Sequence, residues 1–277
     1  MKNTIVRTIS GIGFLAVMIG ALLWCKFSFA LLMLVIMGMM MYEFFRMTMG
    51  TSYKFSQILA ILAAAILFVL TFLSKSYDIP GKMVMLAIIP VFIVMINSLY
   101  VRDKTEFGKF ANLYTAMLYI AVPIAMTNFA VFDRVDGSYS GLLIVCFFAI
   151  VWGSDVGAYV FGITLGRRFG KKLFPEISPK KSWVGFWGGF VSAIAVAVAL
   201  HYAGWLELPV LHCIILAIVM DVAGVYGDLI ESQWKRHYTI KDSGVAIPGH
   251  GGFLDRFDSA LMALPVGIIV LELLNVL

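Results

Sequence analysis

The chain has 277 residues, of which 61% are hydrophobic and only 13% charged. A soluble domain carries about 25% charged residues, so a water-soluble globular fold is excluded and a polytopic membrane protein is indicated. The formal net charge of +5 calls for no nucleic acid, since the sequence offers neither a basic amphipathic helix nor an aromatic platform to bind one.

In chain order the apolar runs lie near 9–25, 27–47, 55–74, 83–100, 112–132, 139–165, 183–203, 208–231 and 259–277. A helix crosses the hydrocarbon core with about 20 residues. The expected fold class is therefore all-α: a polytopic transmembrane helical bundle of about nine spans. It is read as a single integral membrane domain over 1–277, with N-terminal helices in 1–135 and a catalytic half in 139–277. Lys2 and Arg7 precede an apolar run that lacks a small-residue cleavage pattern, so the first span is read as a retained helix. Only Lys26 and its neighbours separate the first two spans, which leaves a tight helical hairpin or a re-entrant segment.

The N-terminal half is rich in Met and Phe and poor in polar groups. The run Met37–Met41 is read as flexible packing. Glu43 is read as an interfacial carboxylate that snorkels to water, with a headgroup contact as the alternative. Cys25, Cys146 and Cys213 lie in apolar segments without metal-type spacing.

With the N-terminus placed in the cytoplasm, all but Lys26, Lys75, Lys82 and Arg134 of the 21 lysines and arginines fall on the cytoplasmic side. That positive-inside bias puts the Arg167–Lys181 and Ser232–Asp258 loops on the cytoplasmic face of a bacterial-type cytoplasmic membrane.

Polar chemistry begins in the sixth span. Asp155 and Tyr159 are followed by Arg167, Arg168, Lys171 and Lys172, then by Ser178-Pro179-Lys180-Lys181-Ser182. A proline-stiffened turn with two lysines and two hydroxyls suits a triphosphate. It is not a Walker loop, because the glycine spacing is absent.

In the eighth span Asp221, Asp228, Ser232 and Lys235 are spaced by seven, four and three, which sets them on one helical face. Asp221 lies about two turns deeper than Asp228 and needs a partner or water there. The loop beyond runs through Lys235-Arg236, Lys241-Asp242, Pro248-Gly249-His250-Gly251-Gly252 and Asp255-Arg256-Phe257-Asp258. Cations, carboxylates and glycines together suit a metal-bound polyphosphate. Asp255 and Asp258, three apart, share one side of a helical turn. Bringing Asp228 near Asp255 would cost about 4 kcal/mol of repulsion at an effective dielectric of 20 unless a cation lay between them.

The order and spacing of Ser232, Lys235, Arg236, Lys241, Asp242, Gly244, Ile247, Pro248, His250, Gly251, Gly252, Asp255, Arg256 and Asp258 resemble the signature of the phosphatidate cytidylyltransferases, the CDP-diacylglycerol synthases. The Ser178–Trp183 segment is similar to that family as well. Trp234 stands where a smaller aliphatic residue or phenylalanine is usual. Val184 stands where the family commonly has a glutamate, for which Glu176, Glu231 or Asp155 are candidate substitutes.

The resemblance implies transfer of the cytidylyl group of CTP to phosphatidate, a membrane lipid, giving CDP-diacylglycerol and pyrophosphate. On that reading Asp228, Lys235, Asp255 and Asp258 are catalytic, with Asp228 and Asp255 as metal ligands. Ser178, Lys180, Lys181, Ser182, Ser232, Arg236, Lys241, His250 and Arg256 bind substrate. The resemblance also implies Mg2+, with K+ as a candidate second cation, and a homodimer. Two rival readings are a CTP-dependent lipid kinase, which would release CDP, and an ion or anion transporter built around Asp155 and Asp221.

Overall fold

The computed structural model describes residues 2–77, 79–101, 105–134, 136–166, 171–247, 249 and 251–276. Among them seven helical segments are long and apolar enough to cross a membrane. These are Lys26–Thr48, Lys54–Ser76, Gly81–Tyr100, Phe107–Val131, Leu142–Thr164, Trp183–Tyr202 and Val210–His237. The first expected span has the shorter apolar stretch Thr8–Trp24. The last lies on a helix, Leu254–Leu273, that also carries Asp255, Arg256, Asp258 and Glu272.

The chain divides into two compact units, Met1–Gly141 with Ile240–Arg256, and Leu142–Thr239 with Phe257–Leu277. The first unit opens with α1 (Lys2–Trp24) and α2 (Lys26–Thr48), separated by Cys25 alone. Cys25 is extended, at φ −160 and ψ 167. Ser28 stabilises the break: its hydroxyl accepts the Cys25 N–H at 3.1 Å and donates to the Ala21 carbonyl at 2.7 Å. The two N-terminal helices thus form a tight hairpin.

Then follow α3 (Lys54–Ser76) and α4 (Ile88–Tyr100), the latter led by a 3-10 turn over Gly81–Ala87. Next come α5 (Ala111–Ala116), a π-helical stretch Met117–Ala121, α6 (Val122–Met126) and α7 (Asn128–Val131). Pro123 explains the wider turn, since it has no N–H for the regular helical ladder. Buried Phe29, Phe68, Phe72 and Phe132 pack this unit's core. The buried side-chain N–H groups of Asn128 donate to Thr71 Oγ1 at 2.9 Å and to the Ala125 carbonyl at 3.1 Å, so its amide nitrogen is paired.

The second unit holds α8 (Leu142–Thr164), a two-stranded antiparallel hairpin of β1 (Lys172–Phe174) and β2 (Ser178–Ser182), α9 (Trp183–Tyr202) and α10 (Val210–His237). It also takes α11 (Leu254–Leu273) from Phe257 onward. Small residues let α8 and α9 lie close, with Gly153 against Val196 and Gly157 against Ser192. Phe147, Phe148, Met220 and Phe257 fill the core of this unit.

The Ser178–Ser182 segment is thus a strand rather than a free turn, paired in the register Lys172↔Ser182 and Phe174↔Ser178. The sequence reading missed it because Pro179 and two adjacent lysines speak against a strand. An edge strand tolerates both.

Candidate active site

The site in the second unit is built on α10. Asp228 lies near its last turns and is half-buried. Ser232, one turn on, donates to Asp228 Oδ1 at 3.1 Å. Lys181 reaches across from β2 and places Nζ 2.8 Å from Asp228 Oδ2. The helical spacing and the hairpin together set a carboxylate, a hydroxyl and an ammonium in direct contact.

Asp258, on the first turns of α11, adds a second carboxylate. Gly227 makes this approach possible: a β-carbon there would overlap the Asp258 carbonyl. Asp228, Asp155 and Lys235 all act electrostatically on Asp258, the two aspartates by repulsion and the lysine by attraction. Three carboxylates on α8, α10 and α11 therefore share one neighbourhood with Lys181 and Lys235. Among the described residues no group of three His, Cys, Asp or Glu side chains forms a ready metal cage. The donor chemistry nonetheless fits magnesium, a hard cation that prefers oxygen. It binds through one or two carboxylates plus substrate phosphates and keeps several waters.

The other predicted residues fall around this centre or apart from it. Lys235 pairs with buried Glu231 one turn back. Arg236 is exposed and donates from Nε to the Ile177 carbonyl at 3.3 Å, which ties the end of α10 to the hairpin. Lys180 is exposed on β2 and Ser178 is half-buried at its start. Ser182 is buried and caps α9, accepting the Gly185 N–H at 3.1 Å. Asp221 is 3% exposed and takes its hydrogen bond from Ser154 of α8.

The loop residues belong to the first unit. Asp255 accepts the Ser243 N–H at 3.0 and 3.2 Å and the Gly252 N–H at 2.9 Å. Its carboxylate thus braces the loop, an arrangement the sequence did not reveal. Lys241 and Arg256 are exposed. His250, like Arg167 and Arg168, lies outside the described residues.

Sequence reasoning missed the burial and the partners of two acids, Glu231 and Glu43. Glu231 was legible as an i,i+4 partner of Lys235. Glu43 was expected to reach water. It is buried instead and bonded to the loop that carries the motif, and nothing local to α2 announces a partner so far along the chain.

Comparison with known proteins gives the class. The sequence model of the Cytidylyltransferase family matches residues 5–274, nearly the whole chain, and the protein belongs to that family. Within it, the chain is 31% identical over 192 residues to the phosphatidate cytidylyltransferase of Bacillus subtilis, covering 69% of this chain and 68% of that protein. It is 32% identical over 176 residues to the phosphatidate cytidylyltransferase of Staphylococcus epidermidis, covering 63% and 64%. The Staphylococcus aureus enzyme of the same name is 31% identical over 175 residues, again covering 63% of this chain and 64% of the relative.

Proposed function

We propose that this protein transfers the cytidylyl group of CTP to phosphatidate, giving CDP-diacylglycerol and pyrophosphate. The observation that carries the reading is the Lys181–Asp228–Ser232 contact beside Asp258. A phosphate oxygen of phosphatidate attacks the α-phosphorus of CTP, a new P–O bond forms, and the bond to the leaving pyrophosphate breaks. The attacking oxygen is already anionic near neutral pH, so alignment and charge neutralisation dominate.

Lys180 and Lys181 on β2 and Lys235 and Arg236 on α10 supply positive charge for the triphosphate, with Lys241 and Arg256 nearby in sequence. Ser178 and Ser232 offer hydroxyl donors. Asp228, supported by Asp258, would hold magnesium, and the motif assigns Asp255 to the same role. Bound there, magnesium would neutralise charge on the phosphates. A second cation such as K+ and a homodimer belong to the same reading. So do a cytoplasmic site and N-terminus, which rest on the lysine and arginine distribution.

Product analysis tests the proposal. Purified protein given CTP, magnesium and phosphatidate should release pyrophosphate and leave cytidine on the lipid. EDTA should stop turnover, and added magnesium should restore it. Release of CDP would instead indicate a lipid kinase, and absence of turnover would remove the transferase reading.

A further inference from the structure

Glu43 follows a methionine-rich run on α2 and is 3% exposed. A buried carboxylate is tolerated only where donors replace water. Both donors to Glu43 come from the far end of the unit's sequence. Leu254 N–H donates to Oε2 at 2.9 Å, and Ser243 Oγ donates to the same oxygen at 3.2 Å.

Leu254 is the first residue of α11. Its N–H is one of the amides a helix cannot satisfy from within. A carboxylate at that end also interacts favourably with the helix dipole. Glu43 is therefore a helix cap delivered from another helix.

Ser243 extends the linkage. Its hydroxyl points to Glu43 while its N–H points to the Asp255 carboxylate. Gly252 N–H also bonds to Asp255. The two acids thus grip the loop from opposite chain segments, with Ser243 between them. The fit leaves no room for other side chains: a β-carbon on Gly244 or Gly252 would overlap the Glu43 carboxylate. Gly252, one of the glycines that suited a polyphosphate in the sequence, is here a place where a buried acid meets backbone.

We propose that Glu43 is a positioning residue for the transfer reaction: it caps α11, fixes the Ser243–Leu254 loop, and so sets the orientation in which Asp255 is presented. This rests on the transferase reading given above. The role is distinct from simple packing, because the contacts converge on the loop and the first turn of α11.

The test combines two readouts on the full-length protein in lipid nanodiscs. Hydrogen exchange over residues 240–256 should rise in Glu43→Ala, while exchange in α10 stays at the wild-type level. In the same variant kcat should fall about a hundredfold, the scale of a catalytic group misplaced by about 1 Å, while KM for CTP changes less than about threefold. Glu43→Gln keeps an acceptor for Leu254 and should recover most of the turnover. Wild-type loop protection and turnover in Glu43→Ala would overturn the proposal. So would an equal loss in Glu43→Gln and Glu43→Ala. If Glu43→Ala fails to fold, Ser243→Ala carries the test: unchanged exchange over 240–256 would overturn the clamp, and raised exchange would support it. Failure of wild-type protein to form cytidine-linked lipid would sink the transferase reading, while the exchange data would still decide whether Glu43 holds the loop.

Discussion

Asp228→Asn separates catalysis from folding. The substitution keeps the shape of the side chain and removes its charge. Asp228 meets Lys181 Nζ at 2.8 Å, with side chains 27% and 26% exposed. Two unit charges about 4 Å apart attract by roughly 4 kcal/mol at an effective dielectric near 20. Desolvation and side-chain ordering offset most of that in a partly exposed pair, leaving about 0–1 kcal/mol. Ser232 can still donate to the amide oxygen of the substituted side chain, so stability should fall by no more than about 1 kcal/mol. Catalysis should suffer far more. Removing one electrostatic group from a reacting centre costs about 10²–10³ in kcat, roughly 2.7–4 kcal/mol. Turnover measured by pyrophosphate release, beside thermal unfolding in the same membrane mimic, gives both quantities. Wild-type turnover in Asp228→Asn would remove Asp228 from the machinery. An activity loss matched by an equal loss of folded protein would make its role structural.

Three further outcomes follow from the same geometry. Lys180 is exposed on β2, so Lys180→Ala should raise KM for CTP more than KM for phosphatidate; a change in phosphatidate alone would assign the strand to the lipid. Cysteines placed at Glu176 in the hairpin turn and at Val245, which is 80% exposed, should react with an impermeant thiol reagent only once the cytoplasmic face is opened, and labelling in intact cells would reverse the topology. Ser182→Ala removes the cap of α9 and should lower stability by about 1 kcal/mol, read as a drop in Tm; an unchanged Tm would show that the cap contributes little there.

What could be read from the sequence followed the range of each interaction. Hydropathy located the long helices because a span of apolar residues is a local property. The helical face of Asp228, Ser232 and Lys235 was likewise local, and the Ser232–Asp228 bond follows from it. The partners of those residues were not local. Lys181 reaches Asp228 because a hairpin pairs Lys172 with Ser182, and Pro179 obscured that strand. Ser154 donates to one oxygen of Asp221 from a different helix. Glu43 shows the limit most clearly. Its position in α2 was plain, but its donors come from residues 243 and 254, and nothing in α2 alone marks that connection.

The acids in this chain show two different means of keeping charge among apolar helices. In the first unit, Asp255 and one carboxylate oxygen of Glu43 accept from backbone N–H groups and the Ser243 hydroxyl. Such donors have fixed positions, so they hold the acids in place and give the loop a defined shape. In the second unit, Asp228 is balanced by Lys181 and Glu231 by Lys235. A lysine is a flexible point charge that can turn from one anion to another. On the proposed reaction, an arriving triphosphate competes for Lys181, and the freed Asp228 becomes available to a cation at the same moment. Fixed donors would serve poorly there, because Asp228 would stay neutralised whether or not nucleotide was bound. Within the first unit fixed donors hold the loop still, and within the second unit the charges can change partners.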